Sequence, residues 1–167
     1  MTSRAVISSG IAVFGLTFAA ALYAFAPASE VDKAFVGKVS QGGMYEVEAS
    51  KVAIQRAVAP DVKDTANTEV HDHQLVGSEL KRIATKTGIP TSPTLNAEFS
   101  ARLARLKSAS ASGFDAAYIA DMESIHDKDE KLFAQEAMDG SDNFKTFAHQ
   151  TDLIVKRHIG SLHGLDK

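Results

Sequence analysis

Residues 61–87 read DVKDTANTEVHDHQLVGSELKRIATKT, and this stretch decides the fold. Val62, Ala66, Glu69 with Val70, His73, Val76, Leu80 and Ala84 recur at steps of three and four, with Ile83 beside them. That period predicts a single long amphipathic helix over 61–87. Pro60 suits its first turn, and Gly88, followed by Pro90 and Pro93, suits its end. A glutamate and a histidine lie on the same stripe as the valines and leucines. Such a helix needs partners that can bury both kinds of residue.

The rest of the chain supplies them. Phe35, Val39, Gly42, Glu46, Ala49 and Ala53 predict a helix from about Val31 to Val58. Gly42-Gly43 interrupts its pattern and marks a kink, a break or a close approach, because each glycine costs about 1 kcal/mol against alanine in a helix interior. A long connection from Gly88 to about Ser112 holds a short amphipathic helix with Leu95, Phe99, Leu103 and Leu106 on one face. The small-residue run Ser108–Gly113 leads into the next helix. That helix runs from about Phe114 to Met138, with Ile119, Met122, His126, Phe133 and Ala137 along one side and Asp139-Gly140-Ser141 at its end. The last runs from about Asn143 to Leu162 behind an Asp142 N-cap, with Phe147, Thr151, Ile154, His158 and Leu162 facing in. No stretch shows the alternation of a strand. The expected fold class is all-α: four long helices in two hairpins, joined by one long crossover that carries a short helix. This is the topology of ferritin-like four-helix bundles.

Composition narrows the chemistry. With 167 residues the chain fits one domain with a sizeable core. It has no cysteine, which excludes disulfides, thiolate metal sites, iron–sulfur clusters, a cysteine nucleophile and c-type haem attachment. Met44, Met122 and Met138 at helical spacing read as core filler, so no haem is expected. A net charge of −3 gives no reason to expect nucleic acid as a partner. At the N-terminus, Arg4, the apolar run Ile11–Ala26 and the small residues Ala26-Pro27-Ala28 have the form of a signal peptide cleaved before Ser29. The stretch from Ala5 to Ala26 also approaches the roughly 20 residues of a membrane span, so a retained N-terminal anchor is the alternative. The expected organisation is therefore residues 1–28 as signal peptide or anchor and 29–167 as the bundle. Either way the bundle works outside the cytoplasm, in a bacterial periplasm or otherwise exported, with membrane association only through an uncleaved N-terminus.

Several short runs carry a resemblance. Gly42-Gly43-Met44-Tyr45-Glu46-Val47-Glu48, Asp72-His73 with Glu79-Leu80, Phe114-Asp115-Ala116-Ala117-Tyr118, His126 and His158 occur in this order. Together they resemble a group of exported bacterial proteins of unknown function in the ferritin-like superfamily, often labelled as outer-membrane proteins. The likeness covers about Phe35 to Leu162. That family's pattern has a Met-Val-x-Asp-His run in both halves; here Glu69 stands in place of the first Met and Ile125 in place of the second Asp. The resemblance implies a four-helix bundle and export, and no particular reaction.

The candidate site is the polar part of the inward faces. A ferritin-like di-iron centre takes a Glu from each of two helices and a Glu-x-x-His from each of the other two. Here Glu123-Ser124-Ile125-His126 is one such run, Glu69 and His73 share a face at i, i+4, and the first helix offers Glu46 while Glu48 points away. His158 has Val155 where its Glu would stand. A set rich in imidazole and poor in carboxylate suits one ion: Glu46, His73, His126 and His158 as ligands, with Glu69 or Glu123 as fourth ligand or support. Imidazole with carboxylate is compatible with Zn, Fe, Cu, Ni or Mn, so the expected cofactor is one transition-metal ion (Fe, Zn, Cu or Mn). Asp72 and Asp127 orient the histidines only if helix rotation brings them near. A second reading stays open: Glu46 holds His73 or His158 in a metal-free polar core, within a non-catalytic cell-envelope or stress-related interaction module that exposes an apolar patch. His71, His149 and His163 are expected in solvent. No pattern names a reaction.

Overall fold

The computed structural model describes residues 28–165. The predicted signal peptide or anchor over 1–28 lies, but for Ala28, outside the described residues. Five α-helices follow in order: α1 Glu30–Arg56, α2 Pro60–Thr87, α3 Ala97–Ser108, α4 Phe114–Asp139 and α5 Asp142–Leu165, with a single 3-10 turn at Ala111–Gly113 before α4. Among the described residues there is no strand, and no helix is long and apolar enough to cross a membrane. The protein is an all-α bundle. α1 packs along α2 and α4 along α5 as two hairpins, α1 also meets α4, α2 meets α5, and the crossover carries α3 onto α1.

Local chemistry sets the ends. Ser29 and Asp32 form a reciprocal capping box at the start of α1. Pro60 opens α2, and Gly88, at φ 74°, closes it in the left-handed region that glycine adopts without steric cost. Asn96 caps α3 by accepting from the Phe99 amide at 2.9 Å. The far end of α3 is capped from another helix: Arg56 donates to the carbonyls of Lys107 and Ala109 at 2.5 and 2.6 Å and lies over the Phe114 ring. Gln41 fastens the crossover to α1, donating to the Thr94 carbonyl at 3.1 Å and accepting from the Asn96 amide at 2.6 Å.

Two expectations are corrected. Gly42-Gly43 neither breaks nor bends a separate piece out of α1, which is continuous from Glu30 to Arg56. Nor does another backbone come close there: a Cβ at Gly42 would first meet the side chains of Ile125 and Asp129, at 3.7–3.9 Å, and one at Gly43 only His73, at 3.9 Å, which are ordinary contacts. Asp142 is not the N-cap of the last helix but its first residue; the Ser141 carbonyl already accepts from the Lys145 amide at 2.8 Å.

The core is divided. One apolar cluster, including Tyr45, Ala49, Val62, Tyr118, Met122 and Leu162, fills the end of the bundle near the α1–α2 turn. A second, built around Phe35, Val39, Leu80, Phe133, Phe144 and Phe147, fills the other end. Phe35 meets Phe133 edge to face at 5.2 Å between centroids. Between the two clusters the inward positions of all four long helices turn polar at one depth: Glu46 on α1, Glu69 and His73 on α2, His126 and Asp129 on α4, and Thr151 and His158 on α5, all buried.

Candidate metal centre

The polar layer brings together Glu69, His73, His126 and His158, all buried, with one ligand atom from each lying within 4.8 Å of the others. Glu69 Oε2 is the hub. It lies 3.0 Å from His73 Nε2, 3.3 Å from His126 Nε2 and 3.0 Å from His158 Nδ1. His126 Nε2 and His158 Nδ1 are 3.2 Å apart. A tetrahedral ion with bonds of about 2.0–2.1 Å holds its ligand atoms roughly 3.3 Å from one another, close to these four separations, while the set as a whole lies within 4.8 Å.

The outward nitrogens fix where the protons sit. His126 Nδ1 donates to the Met122 carbonyl at 2.9 Å, and a carbonyl can only accept. His158 Nε2 donates to Asp72 Oδ2 at 2.9 Å, and Arg157 holds the same carboxylate. His73 Nδ1 faces Glu46 Oε2 at 3.2 Å. With each ring's proton on its outer nitrogen, three lone pairs and one carboxylate oxygen converge. Neither oxygen of Glu69 and neither oxygen of Glu46 has a well-directed hydrogen bond, and the same is true of His73 Nε2. Buried polar groups left in this way are costly. Without an ion, added protons can answer the same edges: one on His126 Nε2 faces Glu69 Oε2 and His158 Nδ1, and one on His73 Nε2 faces Glu69 Oε2. A single cation would also face all four atoms at once, so these residues could hold a metal ion.

The electrostatics of the cluster favour positive charge, whether carried by protons on the imidazoles or by an ion. Burial opposes the charge on Glu69, yet the facing imidazoles of His126, His158 and His73 hold its carboxyl well below the usual range. Burial likewise opposes a charge on the histidines. Glu46 and Glu69 outweigh it, raising His73 and pushing His126 up to about 10. The field at the centre therefore favours positive charge. Burial in turn works against ionised Asp72, and His158 and Arg157 override it to keep that carboxyl low.

The geometry places the two carboxylates differently. The sequence offers Glu46 as a ligand and Glu69 as fourth ligand or support. Glu69 faces all three imidazoles, while Glu46 stands behind His73, with its other oxygen 3.6 Å from His126 Nδ1. Glu123 is not brought to the centre; it is half-buried, 3.9 Å from His163. Asp72 is rotated onto His158, whereas Asp127 is exposed. His71, His149 and His163 are exposed. Sequence reasoning missed Asp129, whose carboxyl is pushed up to about 8 by burial and by the charge of Glu46. Its place three residues after His126, on the same helical face, was the available signal. It also missed a network beside the site, in which Tyr118 shares a 2.8 Å hydrogen bond with Ser50, and Tyr45 donates to Asp121, itself held by Arg102.

Residues 18–165 match the family described as Domain of unknown function (DUF4142), and the chain belongs to that family. No curated protein matches the sequence. Among solved structures, a DUF305 fragment from Deinococcus radiodurans is similar in fold, with a TM-score of 0.74 over 83% of this chain and 97% of that one at 14% identity.

Proposed function

We propose that this DUF4142 chain is an exported, ferritin-like bundle that holds one transition-metal ion between Glu69 Oε2, His73 Nε2, His126 Nε2 and His158 Nδ1. One observation carries the reading: four ligand atoms converge within 4.8 Å of one another, with the outer nitrogens of His126 and His158 donating to Met122 and Asp72 and that of His73 facing Glu46. The set contains three imidazoles and no thiolate, and its spacing suits Zn²⁺ better than Mn²⁺, which takes octahedral oxygen ligands. Four protein ligands complete a tetrahedral shell, so the reading is metal binding rather than turnover. The ion enters from a hollow of about 180 Å³ between α2 and α5, where Asp64, Thr65, Thr68 and Ser161 lead to Glu69 and His158. Export rests on the N-terminal pattern of Arg4, the apolar run to Ala26 and the small residues after it, cleaved or kept as an anchor.

The test is X-ray absorption at the zinc edge of the loaded protein. Expected is a four-atom N/O shell at about 2.0–2.1 Å with outer scattering from three imidazoles. A shell of six light atoms with one imidazole or none contradicts the assignment.

A further inference from the structure

Between α1 and α2 a cavity of about 290 Å³ opens beside the imidazole layer and reaches α4 and α5. Val39, Val47, Val76, Leu80 and Phe133 give it apolar walls, and Glu46, His73 and Asp129 line it as well. Glu46 is fully buried, and neither of its oxygens has a well-directed hydrogen bond. The nitrogens nearest to hand lie at 3.2 and 3.6 Å, and the second of these, His126 Nδ1, is already engaged by Met122.

Two glycines on facing helices, Gly43 and Gly77, line the same cavity. Neither has a positive φ. A Cβ at Gly43 would touch only His73 Nδ1, at 3.9 Å, and one at Gly77 would meet nothing within 4 Å. Helix interiors favour alanine over glycine, so neither backbone strain nor a clash explains the pair. Their effect is to leave space beside His73 and Glu46.

We propose that this cavity binds a small organic cation, a primary amine on an apolar body, with its ammonium group at Glu46 and its hydrocarbon among the valines and Phe133. The volume accommodates on the order of ten non-hydrogen atoms, at the small end of ligand pockets. An ammonium group brings three donors to a carboxylate that His73 Nδ1 faces at 3.2 Å without a well-directed hydrogen bond, and charge-assisted hydrogen bonds are the strong ones. An alcohol of the same length fills the space but offers one neutral donor. The inference goes beyond metal binding and does not rest on it, because the cavity and Glu46 are there whether or not an ion is held.

The experiment titrates the full-length chain, metal-free and zinc-loaded, with hexylamine and with 1-hexanol, following backbone amides by NMR. Hexylamine is expected to shift Gly43 and Gly77 saturably and to bind roughly tenfold tighter than hexanol. Glu46→Gln is expected to remove that preference. Gly77→Leu, which fills the cavity, is expected to abolish binding of both with helix content unchanged, and it carries the test if the Glu46 variant unfolds. Equal binding of amine and alcohol, shifts confined to another part of the bundle, or no binding overturns the inference. Zinc content is measured on the same samples. Full zinc without amine binding sinks this inference alone, and amine binding without zinc sinks the metal reading alone.

Discussion

Glu69 Oε2 lies 3.0 Å from His158 Nδ1, while the other nitrogen of that ring donates to Asp72 at 2.9 Å. Asp72 thus decides which lone pair His158 presents, and Glu69 decides what that lone pair faces. The same logic applies to His126 through the Met122 carbonyl. Ligand and supporting residues therefore make different predictions.

Glu69→Gln and His158→Ala remove atoms of the centre. Each is expected to weaken zinc binding by more than the roughly 10–100-fold that loss of a supporting partner costs. Asp72→Asn is expected to fall within that range, and Glu123→Gln to leave affinity unchanged. Competition titration against a chromophoric chelator ranks the four. A Glu123 variant as weak as the Glu69 variant would contradict the arrangement.

Removing the ion returns buried acceptors to one another. With free zinc at about 100 times its dissociation constant, the bound ion adds about 2.7 kcal/mol to folding stability. For a chain of this size that corresponds to a rise in Tm of roughly 5–10 °C. Thermal melts before and after chelation measure it, and a Tm indifferent to zinc argues against an ion in the core.

The glycines predict the opposite of the usual cost of mutation. Gly43→Ala and Gly77→Ala place a methyl group where it clashes with nothing, so each is expected to raise stability by up to about 1 kcal/mol. Denaturant titration checks this. A loss of stability would mean that the cavity is held open by packing that the methyl group disturbs.

The helices were legible because their stripes are continuous: Val62 to Ala84 on α2 and Phe35 to Ala53 on α1 are buried as their spacing required. The layer of His73, His126 and His158 was legible for the same reason. The order of the carboxylates was not. Glu46 and Glu69 both lie on inward stripes, and the one that reaches the centre is settled by helix rotation and axial offset, which a change of one residue alters by about 1.5 Å and 100°. Gly42-Gly43 looked like an interruption because intrinsic propensity is local, whereas the helix around the pair is held by the burial of its neighbours Val39, Tyr45 and Glu46. The Arg56 cap on α3 joins residues some fifty positions apart and leaves no periodic trace.

At the far end of the bundle, Glu136 gives a pH dependence. Its carboxyl is pushed up to about 8 by burial, by its hydrogen bond with Asp32 and by the charges of Asp32 and Asp139. Asp32 stays ionised, held low against its own burial by the amides of Ser141 and Ser29 and by Glu136. Between pH 4.5 and about 8 the unfolded chain has released the Glu136 proton while the folded chain keeps it. Its contribution is therefore full below pH 4.5 and is lost as pH rises towards 8. Glu136→Gln keeps a donor for Asp32 without the titration. The variant is expected to match the parent near pH 5 and to exceed it at pH 9 by on the order of 1–2 kcal/mol after solvent screening. Parallel stability curves for the two proteins would refute this.

The central claim is that one ion sits among Glu69, His73, His126 and His158. The most direct measurement is the metal content of the full-length chain, purified without an affinity tag and offered Fe, Zn, Cu and Mn, beside a His73→Ala, His126→Ala variant. The account predicts one ion per chain in the parent and none in the variant. Substoichiometric metal in both proteins would contradict it.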